Sequence, residues 1–361
     1  MSALKDKILR RIASDGPLTL AHYMQMALYD PQSGYYMKGD PFGEKGDFIT
    51  APEVSQIFGE LIGLWFVQVW EDRGRPKPFH FVELGPGRGT LMADMLRAVK
   101  VRPAFLEAAQ ISLIETSPAL REIQQRTLQL EMLPIAWATS LDEIAGGAPL
   151  FLVANEFLDA LPIRQFVKAA NGWHERLVSA DRGKLVFALR PEAEVDPPIP
   201  KALPAAEKDS IFEISIEAHK TIASISSRLQ QADGTALLID YGHEKSGFGD
   251  TFQAVKAHHF TDPFAEPGDA DLSAHVDFEA LAYAATEAKA KVLGPVTQAE
   301  FLEALGVRVR AGVLKRKADA ANRTNISSAV ERLINRDQMG TLFKVMALAQ
   351  STSPSLPGFS C

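Results

Sequence analysis

The stretch His80-Phe81-Val82-Glu83-Leu84-Gly85-Pro86-Gly87-Arg88-Gly89-Thr90-Leu91 restricts the fold of this chain more than any other. It begins as an apolar run of buried-strand character and turns through glycines at three alternating positions. It then runs on into Met92-Ala93-Asp94-Met95-Leu96-Arg97, which reads as helix. Glycine suits such a turn for two reasons: it adopts backbone angles that other residues resist, and it lets a ligand lie against bare main chain. The amides that open the next helix then face that ligand. The surrounding pattern alternates in the same way, with strands expected at 79–84, 111–114, 135–138, 150–154, 235–239, 291–296 and 340–348. Ser117 and Pro118 read as an N-cap and a first-turn proline opening a helix to about 129. The expected fold is therefore α/β: a doubly wound, about seven-stranded, mostly parallel sheet with helices on both faces.

The spacing of the glycines narrows the ligand. A dinucleotide fingerprint reads G-x-G-x-x-G, whereas this turn reads G-x-G-x-G with Glu83 two positions ahead, and no Gly-Lys-Ser/Thr follows as a phosphate loop requires. E-x-G-x-G-x-G fits a cofactor without phosphate whose amino-acid end carries an ammonium group, and S-adenosylmethionine is such a cofactor. Glu115 ends the second strand, where an acidic residue accepts from ribose hydroxyls, although it lies nearer thirty than twenty residues past the turn. After the fourth strand comes Asn155-Glu156-Phe157-Leu158-Asp159-Ala160-Leu161-Pro162. If the sheet reverses its winding between the first and fourth strands, Glu156 faces the glycine turn across the crevice where ligands bind. A helix-start acid is the competing reading of both Glu156 and Asp159, weaker for the first than for the second. The candidate cofactor contacts are Glu83, Gly85, Pro86, Gly87, Gly89, Thr90, Glu115, Thr116, Asp142, Asn155 and Thr50.

The remainder divides into a helical N-terminal region over 1–75, a core over 76–350 and a loose tail over 351–361. In the first, 18–28 has helical spacing, 38–47 is a glycine-rich loop, and a long apolar helix is expected over 51–70. Thr50 and Glu53 form a capping-box pattern at its start; a plain cap or a place at the site accounts equally for both. Within the core, 163–190 alternates in strand fashion around turns, giving inserted hairpins that a proline-rich segment extends to 204. Helices are expected at 213–229, 251–259, 276–287 and 298–305, and 329–335 belongs to another, with 297–338 forming a helical insertion.

Composition excludes several classes. The net charge of −7 argues against a general nucleic-acid binder, and the 46% hydrophobic content allows a sizeable core. Cys361 is the only cysteine, so a thiolate cluster or cysteine nucleophile within the fold is excluded and a reducing compartment fits. The histidines show no metal-ligand spacing, no G-x-S-x-G elbow appears, and no apolar run reaches membrane-spanning length. The first residues have neither a signal-peptide core nor a clear transit peptide, so the cytoplasm is the expected setting. Nothing here fixes an oligomeric state.

Several long motifs in one order carry a resemblance: 46–60 (GDFITAPEVSQIFGE), the glycine motif, 154–162, Ile239-Asp240-Tyr241-Gly242 and His275-Val276-Asp277-Phe278. Together they resemble the MidA-like class I methyltransferases, a family that includes a mitochondrial assembly factor of respiratory complex I. The resemblance spans nearly the whole chain. It implies a Rossmann-like, S-adenosylmethionine-dependent enzyme acting on a protein partner, with symmetric dimethylation of an arginine in a complex I subunit as the activity of the mitochondrial branch. Two positions depart from the family: Leu158, where phenylalanine is frequent, and the loop Thr139-Ser140-Leu141-Asp142, where the acid falls slightly late for an adenine contact. For an arginine acceptor, carboxylates orient the planar guanidinium through paired contacts and meet the proton that it loses. Glu156 is the first catalytic candidate, with Asp159, Glu53 and Tyr241 behind it. A small-molecule methyltransferase and a non-catalytic assembly protein with the same fold are the alternatives, and a nicotinamide oxidoreductase is more distant.

Overall fold

The computed structural model describes residues 3–39, 50–353 and 355–359; Cys361, residues 46–49 of the first resemblance motif and most of the 38–47 loop lie outside them. Seven strands form the path of the central sheet: β1 Phe79–Leu84, β2 Ala109–Ile114, β3 Ile135–Ala138, β4 Leu150–Asn155, β5 Gly234–His243, β6 Lys291–Thr297 and β7 Phe343–Ala349. Their order is β3-β2-β1-β4-β5-β7-β6. The first five run parallel, and β7 is antiparallel to both β5 and β6. Val276–Asp277 adds a short parallel pairing at the end of β5. The expected α/β class is therefore observed, and the winding reverses between β1 and β4. Such a reversal leaves a crevice at the carboxyl ends of the two strands.

The helices in chain order are α1 Ala3–Asp15, α2 Leu20–Tyr29, α3 Ala51–Val54, α4 Gln56–Asp72, α5 Thr90–Val99, α6 Pro103–Ala108, α7 Pro118–Leu128, α8 Ile216–Ala232, α9 Phe278–Glu287, α10 Gln298–Ala304, α11 Val307–Arg316 and α12 Ala320–Ile334. Strands β1 and β4 are buried at every residue, as central parallel strands covered on both faces must be. Alternate residues split between two cores. Phe79, Phe81, Phe151 and Val153 face α4 and α5, where Phe66 and Phe81 meet edge-on at 5.2 Å. Val82, Leu84, Leu152 and Leu238 face Ile222 of α8 and Leu281 of α9. Helices α4 and α5 approach closely because α4 carries Gly59 and Gly63. A Cβ on Gly59 would lie 2.5 Å from Cβ of Asp94, and one on Gly63 would lie 2.9 Å from Cα of Met95.

A third core joins the N-terminal helices to the insertion. Leu4, Ile8, Tyr23 and Leu28 pack with Val178 and Leu185 of the hairpins and with Phe264 and Leu272. The hairpin strands Arg164–Ala169, Gly172–Asp181 and Lys184–Leu189 are antiparallel, and Leu18–Thr19 adds to their edge.

Several expectations need correction. The helix over 51–70 is broken at Ser55, which is extended (φ −162°, ψ 131°) and whose side chain accepts from the Ile57 amide to start α4 afresh. Glu213 is in strand Ile211–Ile214, so α8 begins only at Ile216, capped by Ser215. Most importantly, 251–259 is not helical. Gln253–Lys256, His259–Thr261 and Asp271–Ser273 form a small antiparallel sheet, because burying Ala254 and Leu272 against α1 and α2 overrides local propensity. Nor is the tail loose through 359: Leu356 and Phe359 are buried, and the Trp65 indole donates to the Pro357 carbonyl at 2.8 Å.

Candidate active site

The glycine turn has the geometry its spacing required. Gly85, Gly87 and Gly89 have φ of 59°, 51° and 82°, and Gly89 caps α5 in the left-handed region. A Cβ on Gly85 would lie 2.7 Å from Cδ2 of Phe157, so the turn presses directly on the loop after β4. Glu83 lies under the first turn of α5 and is 3% exposed. Burial pushes its carboxyl up to about 8, opposed by the Met92 amide, and its Oε2 has no partner. The local reason for its position is thus the start of the helix as well as any ligand.

Thr50 caps α3 without a side-chain bond, so the expected capping box is absent. Glu53 turns instead to the glycine turn: its Oε1 accepts from the Thr90 hydroxyl at 2.5 Å and its Oε2 lies 3.4 Å from Arg88. The structure therefore brings Glu53 and Thr90 together as a clamp between α3 and the turn. Glu53, a catalytic candidate in the sequence, is thus held by the glycine turn.

Beyond the turn, Gln124 of α7 organises a chain of hydrogen bonds. Its amide nitrogen donates to the Gly87 carbonyl at 2.8 Å and to Oε2 of Glu115 at 3.2 Å, while the Trp137 indole donates to its Oε1 at 2.9 Å. Oε1 of Glu115 accepts from the Ser117 amide at 2.7 Å. Burial raises the Glu115 carboxyl, against these donors. Glu115 thus ends β2 as a buried, fixed acceptor beside the turn. Thr116 is exposed next to it. Asp142 is exposed too, and the acid that folds back on this loop is its neighbour Glu143, which accepts from the Thr139 amide.

The loop after β4 faces the turn. Glu156 has φ 51°, a left-handed conformation unusual for a side-chain-bearing residue, and such strain collects at functional loops. Its Oε1 accepts from the Ala51 amide at 2.8 Å and from Asn155 at 3.2 Å. Burial pushes Glu156 up to about 7 despite the Ala51 bond, and the Asp159 charge adds to the rise. Asp159 is 8% exposed, and Oδ1 of its carboxyl has no partner. Burial raises it to about 6, with a hydrogen bond from Tyr241 opposing. Tyr241 itself is buried and raised by burial and by Asp159.

What holds this loop was not among the sequence candidates. Asp240, at the end of β5, accepts from the amides of Phe157, Leu158 and Asp159 at 3.1, 2.8 and 3.3 Å through one oxygen, and from the Tyr241 amide through the other. An acid closing an apolar strand beside the crevice was the available signal. Also missed were Tyr29, whose hydroxyl donates to the Ala160 carbonyl, and Tyr36, whose hydroxyl donates to Asp271. No sequence spacing links these positions.

The site fits a cationic, phosphate-free cofactor better than a pyrophosphate. Bare main chain at Gly85, Gly87 and Gly89 meets buried carboxyls at Glu83 and Glu115, and Asn155 Oδ1 is buried without a partner among the described residues. The one cation in the turn, Arg88, is 3.4 Å from Glu53. A cavity of about 1090 Å³ lies beside it, between residues 196–204 and helices α8 and α9, with Leu158 of the β4 loop in its lining. Among the described residues there is no group of acids, histidines or cysteines able to hold a metal, and no helix long and apolar enough to cross a membrane.

Comparison with known proteins agrees with this geometry. Residues 61–296 match the family model described as "Putative S-adenosyl-L-methionine-dependent methyltransferase". The chain is 37% identical to the Xenopus tropicalis protein named "Protein arginine methyltransferase NDUFAF7, mitochondrial", over 99% of this chain and 90% of that one. It is 38% identical to the Homo sapiens protein of the same name, over 94% and 82%. A crystal structure from Burkholderia thailandensis, described as a "likely methyl transferase" bound to S-adenosyl-homocysteine, superposes with a TM-score of 0.88 at 31% identity, covering 99% of this chain and 94% of that chain.

Proposed function

Since the chain belongs to the S-adenosyl-L-methionine-dependent methyltransferase family, we propose that its methyl acceptor is an arginine side chain of a protein. The observation that carries this reading is the acid pair on the β4 loop: Asp159 keeps a buried carboxylate oxygen without a partner, beside a Glu156 held at about 7. A buried anion of this kind is stabilised by a cationic ligand, and a guanidinium matches carboxylates in paired contacts. The named activity of the vertebrate relatives supports the same acceptor.

In this reading the turn over Gly85, Pro86, Gly87, Gly89 and Thr90 supports the cofactor, Glu115 accepts from its ribose hydroxyls, and the buried carboxyl of Glu83 favours its positive charge. Asn155 and Thr116 border the same place; Thr50 contributes through the position of α3. Bound there, S-adenosylmethionine supplies an electrophilic methyl carbon on a sulfonium. The ionised carboxylate of Glu156 orients the guanidinium and takes the proton that the nitrogen loses, Asp159 pairs with the remaining charge, and Tyr241 holds Asp159 through its hydroxyl. Asp240 keeps the loop in register by receiving its amides. The finer part of the proposal is that the acceptor is a respiratory complex I subunit and the setting cytoplasmic, as the family resemblance and the near-absence of cysteine support.

The test is to incubate cell extract with methyl-labelled cofactor and the purified protein, then hydrolyse the labelled product. Label recovered as methylated arginine from a protein is the expected result. Label on a metabolite, or on lysine, overturns the reading.

A further inference from the structure

Resting on the arginine reading, we propose that Tyr29, Tyr36 and Asp271 complete, with Asp159 and Tyr241, the pocket that receives the acceptor guanidinium. Tyr36 and Asp271 would then be positioning residues that select a planar cation. The three reach the site from segments remote in sequence, and each is fixed by a contact of its own. Helix α2 ends at Tyr29, whose hydroxyl donates to the carbonyl of Ala160, next to Asp159, at 3.2 Å. The hydroxyl of Tyr36 donates to Oδ1 of Asp271 at 2.8 Å. The Tyr29 and Tyr36 rings lie 5.7 Å apart, inclined at 34°.

The chain between the two tyrosines is built to hold them still. The buried Asp30 accepts from the amides of Gln32 and Ser33 and is paired with Lys7. Gly34 has no room for a side chain, since a Cβ would lie 2.5 Å from the Asp30 amide nitrogen. On the opposite side, Asp271 opens a strand of the small sheet, where Gln253 reaches both Ser273 and the Tyr241 hydroxyl. This sheet therefore delivers Asp271 to the same place as Tyr241.

Three features make the enclosure a receptor for a cation. The Tyr29 hydroxyl donates to the carbonyl of Ala160, next to Asp159, and its ring lies beside that of Tyr36, which donates to Asp271, so the two rings link the two acids. Among the described residues, the groups acting on Asp159 are the Tyr241 hydroxyl and backbone amides, with no lysine or arginine. Its buried Oδ1 is left without a partner. Aromatic faces beside carboxylates favour a flat, weakly hydrated guanidinium over the compact, strongly hydrated ammonium of lysine.

The experiment uses the full chain loaded with S-adenosyl-homocysteine and, as probes, Nα-acetyl-arginine methylamide and its lysine counterpart, measured by calorimetry. Arginine amide is expected to bind at least tenfold more tightly than lysine amide. Asp271→Asn and Asp159→Asn should each weaken it tenfold or more, and Tyr36→Phe, which keeps the ring, about threefold, while S-adenosyl-homocysteine binds each variant as it binds the wild type. Equal binding of the two amides, no binding of arginine amide by the wild type, or unchanged binding by Asp271→Asn and Tyr36→Phe would each overturn the pocket. A parallel loss of cofactor binding in Tyr36→Phe would show a structural role and overturn it also. These outcomes are separate from the labelling test: methylated arginine in protein with no selective binding of arginine amide would leave the function standing and the pocket refuted.

Discussion

On one side of the cleft, the turn over Gly85, Gly87 and Gly89 presents main chain, fixed by Gln124 from only 37 positions downstream. On the other side, Tyr36 and Asp271 meet across 235 positions, and Asp240 reaches back more than 80 to hold the loop of Glu156 and Asp159. The proposed cofactor side is therefore made by contiguous strand, turn and helix, using backbone groups that any sequence carries once glycine permits the path. The acceptor side is made by side chains that only the complete fold assembles. Substitutions on the first side should act on cofactor affinity, and on the second side they should act on turnover and acceptor binding.

The largest expected departure is Glu156→Gln. Removing the carboxylate proposed to take the proton should lower kcat by roughly 100- to 1000-fold, about the worth of a general base, while cofactor affinity stays within threefold. Equal losses in turnover and cofactor affinity would break the division, because they would assign Glu156 to the cofactor side.

Next comes pH. Burial raises Glu156 from 4.5 to about 7 and Asp159 from 3.8 to about 6, so both acids are charged at pH 8 and successively neutral below those values. With the ionised forms active, kcat/KM should fall roughly tenfold per pH unit below 7, steepening below 6, when the rate is followed with cofactor saturating. The sign for stability is opposite. A folded-state value above the unfolded one means that the folded protein binds the proton more tightly. The stability contributed by Glu156 is thus full below 4.5 and is lost as pH rises towards 7. A kcat/KM that is flat from pH 5 to 8 would sink the role of this pair.

The same contrast decides how much could be read from the amino-acid order. The sheet and glycine turn were legible because strand alternation and glycine spacing are local, and Glu115 and Glu156 follow from their places at strand ends. The capping-box pattern shows where local reading stops. Thr297 and Glu300 form the box, whereas Thr50 and Glu53, with the same spacing, do not, because the Thr90 hydroxyl lies within reach of Glu53. Asp271 was out of sight for a related reason. The segment 251–259 that pairs with its strand read as helix, and the stretch holding Asp271 as a loop, until α1 and α2 supplied a surface on which Ala254 and Leu272 could be buried as strands. Tyr29 and Tyr36 are aromatic residues beside a turn, and nothing nearby in sequence tells them from ordinary core.

Gly85→Ala tests whether the turn truly acts through main chain. The residue sits at φ 59°, and the added methyl carbon would meet Phe157 at 2.7 Å, so the turn or the β4 loop must shift. A cost of about 1–3 kcal/mol is expected from such strain, read as weaker S-adenosyl-homocysteine binding with a smaller change in the KM for acceptor. If acceptor KM changed and cofactor binding did not, the turn would belong to the other side.

The smallest effect is expected from Trp137→Phe. This change keeps a ring on β3 but removes the indole donor to Gln124, whose amide is the link between the Gly87 carbonyl and Glu115. Losing one such bond should cost about 1 kcal/mol, appearing as roughly fivefold weaker cofactor binding with kcat at saturating cofactor unaltered. Gln124→Leu removes both ends of the relay and should weaken the cofactor further. A Trp137→Phe protein with normal cofactor affinity would mean that Gln124 needs no orienting partner, and that the turn is held by its own glycines and by the Gly85 amide on the Ile114 carbonyl.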